Sequence, residues 1–156
     1  MRIVRPASME DAPAIARIVN HWAAQGKMLF RRAEEVERSI RDFVVLQDDG
    51  EVTGCGALAL YGADLAEVRS LAVLPSVQRG GGGAAIVRHL LAAAVELRVQ
   101  RVFAFTYVPG FFEKLGFEVV PPETLPQKAW RDCIHCPKRT NCDEIAVLHE
   151  LPASRP

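Results

Sequence analysis

Residues 67–86 read EVRSLAVLPSVQRGGGGAAI, and this stretch decides the fold. Its first half belongs to a strand expected over Leu65 to Leu74, and from about Ala84 an apolar helix is expected to run to Leu97. Between them, Gln78-Arg79-Gly80-Gly81-Gly82-Gly83 puts bare backbone N–H groups at the positive end of a helix dipole, where a pyrophosphate can be held. Small residues are needed there because a Cβ would keep the phosphate away from the amides. Four glycines can equally form a plain flexible loop, so the neighbours must decide. A nucleoside triphosphatase loop needs Gly-Lys followed by Ser or Thr, whereas Ala84-Ala85 follows here. A dinucleotide fold places its glycines after the first strand, with an acid about 20 residues on. This tract follows the fourth strand, and Val102 to Thr106 holds no acid.

Working outward, Arg2 to Arg5 is a strand candidate, and Ser8 with Asp11 forms a capping box ahead of Ile15, Ile18, Val19 and Trp22 at helical spacing. Gly26 ends that helix. A second helix is expected over Ala33 to Phe43. Phe43 to Leu46, Asp48-Asp49-Gly50 and Glu51 to Leu60 read as a strand, turn and strand. Tyr61-Gly62-Ala63-Asp64 turns the chain into the third strand of the meander. Beyond the long helix come a strand at Arg101 to Tyr107, a short helix at Phe111 to Leu115 closed by Gly116, and strands at Phe117 to Val120 and Ile145 to Leu151. This order describes an α/β fold with a mixed central sheet and helices on both faces.

A chain of 156 residues, 49% hydrophobic, fills one core but not two. The reading is a single domain over 1–156, with a cysteine-bearing C-terminal extension at about 121–156. The 19 basic and 19 acidic side chains cancel, which removes the field that would draw nucleic acid or anionic lipid. No apolar run reaches the roughly 18 residues that a bilayer span needs. The opening MRIVRPASMEDAP carries charges where a secretory signal needs an apolar stretch. A cytoplasmic protein with no nucleic-acid or membrane partner is expected.

Taken together, the motifs resemble the GNAT acetyltransferase family. Its pyrophosphate loop has the form Gln/Arg-x-x-Gly-x-Gly/Ala. Gln78-x-x-Gly81-x-Gly83 fits it, as does the frame Arg79-x-x-Gly82-x-Ala84. The first frame keeps Pro75 three residues before Gln78 and puts Ile86-Val87 at apolar helix positions. Glu67 to Val73 looks like the family's fourth strand, and Phe111 to Phe117 like its late helix and following strand. The resemblance implies acetyl-CoA as cosubstrate, with its pyrophosphate on Gln78, Arg79, Gly80, Gly81, Gly82, Gly83 and Ala84. It implies pantetheine along Leu71, Ala72 and Val73, with Phe112 beside the cofactor.

Acetyl transfer to an amine needs a base for the nucleophile's proton and gains from an acid at the leaving thiolate. Glu67 matches a general-base position of the family; a strand glutamate in a cross-strand pair is the alternative. The family's acid is a tyrosine where this chain has Phe112, which leaves Tyr107 as a substitute or no dedicated acid. Met28 to Ala33, Ile40 to Phe43 and Leu125 to Cys136 resemble short stand-alone N-acetylglutamate synthases. Guanidinium forks bind carboxylates bidentately, so Arg31, Arg32, Arg69 and Lys128 are candidate ligands for a glutamate acceptor, Arg32 first and Lys128 second. The implied activity is acetylation of the α-amine of L-glutamate, the opening of arginine biosynthesis. Other amino acids, polyamines or protein N-termini stay open as acceptors, as does a non-catalytic coenzyme A sensor. Dimerisation, a family tendency, is neither supported nor excluded.

Cys133-x-x-Cys136 and Cys142 lie close to His135, Asp143 and His149. They can supply zinc ligands, yet a fourth ligand is not evident and structural sites usually join two paired elements. Zinc, three packed free thiols, and a disulfide of Cys133 with Cys136 or Cys142 all stay open.

Overall fold

The computed structural model describes residues 1–78, 80–126 and 144–152. Arg79, Lys128 and the Cys133, Cys136, Cys142 group lie outside the described residues. The strands are β1 (Arg2–Pro6), β2 (Phe43–Asp48), β3 (Glu51–Gly62), β4 (Leu65–Val73), β5 (Arg101–Thr106), β6 (Glu118–Val120) and β7 (Ile145–Glu150). The helices are α1 (Ala12–Ala23), α2 (Ala33–Arg38), α3 (Gly82–Glu96) and α4 (Pro109–Glu113). They build one mixed sheet in the order β1-β2-β3-β4-β5-β7-β6. β4 and β5 pair in parallel, and α3 is the crossover that a parallel pair requires. β1/β2, β2/β3, β5/β7 and β6/β7 are antiparallel. Chain order alone does not reveal that β7 takes the place beside β5 and pushes β6 outward. No described helix is long and apolar enough to cross a membrane.

The chain clusters into two compact units, Met1–Leu58 with Val68–Ala92, and Ala59–Glu67 with Ala93–Pro156. In the first, the Ser8 N–H donates to Asp11 Oδ2 at 2.7 Å. The expected capping box thus forms, closing a short 3₁₀ turn at Met9–Asp11 just ahead of α1. Arg5 grips the same carboxylate with both terminal nitrogens, at 2.8 and 3.0 Å. Ile15, Ile18 and Val19 of α1 are fully buried and pack in one cluster with Val36, Val45, Cys55 and Ala72. The second expected helix breaks in two: α2 stops at Arg38 because Ser39 leaves helical geometry (φ −109, ψ 19), and a 3₁₀ turn at Ile40–Asp42 delivers Phe43 to β2. Asp49 and Gly50 both sit at positive φ, as a tight hairpin turn demands.

The second unit is built on Leu65, Phe103, Leu125 and Ala146, flanked by Tyr61, Phe105, Val120 and Leu148. Behind α4, Phe111, Phe112, Phe117 and His149 stack edge to face with centroids 5.1 to 5.2 Å apart. Such edge-to-face aromatic contacts add to the burial they bring.

Candidate active site

The glycine tract leaves β4 through a 3₁₀ turn at Pro75–Val77 and enters α3 at Gly82. The first intrahelical bond runs from the Ala85 N–H to the Gly81 carbonyl at 3.1 Å. The N–H groups of Gly81, Gly82, Gly83 and Ala84 precede that bond and therefore have no acceptor within the helix. Gly81 is at φ +79, a conformation that glycine adopts without strain. At Gly82 a Cβ would fall 2.5 Å from Leu46 Cδ2, so this glycine lets the helix start lie directly on the core. The result is a cradle of backbone donors suited to an anion such as a pyrophosphate. Gln78 is exposed at its rim.

Leu71, Ala72 and Val73 close β4 just before the tract. The Val73 carbonyl accepts the Trp22 indole N–H at 3.1 Å, tying the end of α1 to the end of β4. Ser70 stands at φ +54 within β4, a strained conformation for a non-glycine residue. Its carbonyl takes the Cys55 thiol at 3.4 Å. Burial pushes that thiol up to about 12, which makes it an inert packing group.

Among the acceptor-side cations, Arg31 and Arg69 are half-buried and Arg32 is exposed at the start of α2. The loop carrying Arg31 is pinned by a residue that the sequence reading passed over. Asn20 on α1 donates to the Arg31 carbonyl and accepts the Arg31 N–H, each at 2.8 Å. An amide that satisfies both groups of one residue fixes its backbone as a strand partner would.

In the second unit, Glu67 is half-buried on β4 opposite Phe103 of β5. Its Oε1 accepts the Tyr61 hydroxyl at 2.7 Å, and the Tyr61 ring leans on Phe103 with centroids 5.7 Å apart. The cross-strand contact considered as an alternative to a base thus includes the Tyr61 hydroxyl. A hydrogen bond of this kind orients a carboxylate. Tyr107 lies half-buried in the bend after β5. Phe112 is 3% exposed within the aromatic stack, so its ring supports α4. A cleft of about 210 Å³ is lined by Gly116, Glu118, Val120, Leu148, His149 and Glu150, none of them an expected catalytic or coenzyme residue. His149, counted among the potential zinc neighbours, stacks on Phe117, and its Nδ1 lies 2.8 Å from the Glu150 carbonyl. Among the described residues no group of three or more His, Cys, Asp or Glu side chains is placed to hold a metal.

The family model for the acetyltransferase (GNAT) domain matches residues 39–119. Over 148 residues, 95% of this chain and 96% of the relative, the sequence is 45% identical to an uncharacterized N-acetyltransferase of Chlorobaculum tepidum. Over 119 residues, 74% of this chain and 67% of the relative, it is 39% identical to an amino-acid acetyltransferase of Mycobacterium tuberculosis. The fold superposes with a TM-score of 0.86 on N-acetylglutamate synthase from Neisseria gonorrhoeae complexed with coenzyme A and N-acetyl-glutamate. The identity there is 28%, over 97% of this chain and 35% of that one. This chain thus spans about a third of that enzyme, and 30% of the amino-acid acetyltransferase of Neisseria meningitidis. With half of its length matched by the family's own pattern and nearly all of it by an N-acetyltransferase relative, the chain belongs to the GNAT family of acetyl-CoA-dependent N-acetyltransferases.

Proposed function

We propose that this enzyme acetylates the α-amine of L-glutamate, serving the opening step of arginine biosynthesis in the cytoplasm. The observation that carries the reading is the pinned loop at Arg31 and Arg32, because a glutamate acceptor presents two carboxylates that guanidinium groups recognise. The resemblance to amino-acid acetyltransferases and to N-acetylglutamate synthase supports the same acceptor.

In this reading the amides of Gly81, Gly82, Gly83 and Ala84 hold the coenzyme pyrophosphate, and Gln78 and Arg79 flank it. The backbone of Leu71, Ala72 and Val73 runs beside the pantetheine arm. Acetyl-CoA supplies the acetyl group as an activated thioester. Arg32 and Lys128 hold the carboxylates of glutamate, with Arg31 and Arg69 adding positive charge. Glu67 takes the proton from the α-ammonium through a water, which frees the nitrogen lone pair for attack. Tyr61 keeps the Glu67 carboxylate aimed. Tyr107 stands as the donor for the departing thiolate. Phe112 carries no hydroxyl and serves by packing α4.

Turnover of glutamate by the wild type, Arg32→Ala and Glu67→Gln tests the assignment. Arg32→Ala is expected to raise the glutamate KM, and Glu67→Gln to lower kcat. Wild-type kinetics in both variants would remove these two residues from the site.

A further inference from the structure

Arg2 opens β1 in register with Asp48 at the end of β2. Its Nε donates to Asp48 Oδ1 at 2.8 Å, and Asp48 Oδ2 accepts the Thr53 hydroxyl from β3 at 2.7 Å. The hydrogen bond from Arg2, and after it the one from Thr53, holds the Asp48 carboxyl below the usual carboxylate range. The guanidinium is therefore tied to a carboxylate that is itself tied to the sheet. On its other side, Nη1 donates to the backbone carbonyl of Gly80, inside the glycine tract. The Gly80 N–H is taken as well, by the Val77 carbonyl at 3.2 Å.

In a trans peptide the carbonyl and the following N–H point in opposite directions. A donor on the Gly80 carbonyl therefore also sets the direction of the Gly81 N–H. Between two glycines no side chain resists a flip of that plane. A flipped plane would turn a carbonyl oxygen toward a bound anion and replace an attractive donor with a repulsive acceptor. We propose that Arg2 is a positioning residue for the coenzyme loop: braced by Asp48 and Thr53, it holds the Gly80–Gly81 peptide with its N–H toward the pyrophosphate. This inference rests on the reading of the tract as the coenzyme site.

The test is calorimetric binding of coenzyme A to the enzyme and to Arg2→Ala, Asp48→Ala and Gly81→Asp, with melting temperatures alongside. Arg2→Ala is expected to weaken binding about five- to tenfold, the share of one hydrogen bond. Asp48→Ala keeps the guanidinium but releases it, so a loss in the same direction is expected. A guanidinium acting only as a nearby positive charge would bind coenzyme A more tightly once the carboxylate is gone. Equal or tighter binding in Asp48→Ala overturns the proposal, as does a lowered melting temperature with unchanged affinity in Arg2→Ala. Gly81→Asp separates this role from the site itself, because aspartate tolerates positive φ while placing a carboxylate against the anion. Unchanged affinity in Gly81→Asp would sink the coenzyme reading of the tract. Weakening there alone would sink only the role of Arg2.

Discussion

Truncating Asn20 to alanine removes two hydrogen bonds of 2.8 Å from the backbone of Arg31 and little else. Each such bond contributes about 0.5–1.5 kcal/mol net, so the pair is worth roughly 2 kcal/mol. Expressed wholly as lost acceptor binding, that is about thirtyfold in the glutamate KM. The loop keeps other anchors, since the Lys27 N–H still reaches the Trp22 carbonyl at 3.2 Å and Met28 still packs on the core. A rise of about five- to tenfold is therefore expected. The acetyl-CoA KM should stay near the wild-type value, because the glycine tract is held by Leu46, Arg2 and the start of α3 rather than by this loop. Initial rates of thiol release, with each substrate varied at saturating concentration of the other, separate the two constants. An unchanged glutamate KM beside a lowered melting temperature would refute the reasoning, since Asn20 would then be a structural tie with no bearing on the acceptor. Equal rises in both constants would refute it too.

Tyr61→Phe keeps the ring against Phe103 but removes the 2.7 Å hydrogen bond to Glu67. It is expected to lower kcat roughly three- to tenfold with modest changes in either KM, checked by the same assay. Asp11→Ala removes the bidentate pair with Arg5 and the bond from the Ser8 N–H. A loss of about 2–3 kcal/mol in denaturant unfolding is expected, less than for a fully buried pair because Arg5 is partly hydrated. The hydrogen bond from Arg5 is the main reason that the Asp11 carboxyl sits below its ordinary value. Its contribution is therefore complete above the unfolded pKa of about 3.9 and is lost as pH falls through the folded value. The stability gap between wild type and Asp11→Ala should accordingly close at acid pH.

Much of the fold was legible because its signals are local. The Ser8 and Asp11 box, the Asp49-Gly50 turn and the glycines ahead of α3 each act through backbone geometry within a few residues. The insertion of β7 between β5 and β6 is a pairing choice made over long sequence separation, and no local pattern encodes it. The early end of α2 was hidden because Val36 and Ile40 share helical spacing, while the chain must turn at Ser39 to present Phe43 to β2. At the candidate site, the glycine cradle was readable, whereas its supports were not. Asn20, Trp22 and Arg2 each act on the backbone of a distant residue, and a side chain's backbone partner leaves no trace in composition or period. Tyr61 had a partial signal, since it precedes and Glu67 follows the turn at Gly62-Ala63-Asp64, which puts the two on consecutive strands. Phe112 was legible as a motif position, whereas its stacking between Phe111 and Phe117 depends on how α4 meets the chain beyond Gly116.

The most direct test of the central claim is acetyl transfer from acetyl-CoA to a panel of L-amino acids, polyamines and peptide N-termini, followed by thiol release with the acetylated product identified by mass. Glutamate with the highest kcat/KM, acetylated on its α-amine, is the predicted result. Preference for another acceptor, or no turnover of any amine by protein that binds coenzyme A, would contradict the account.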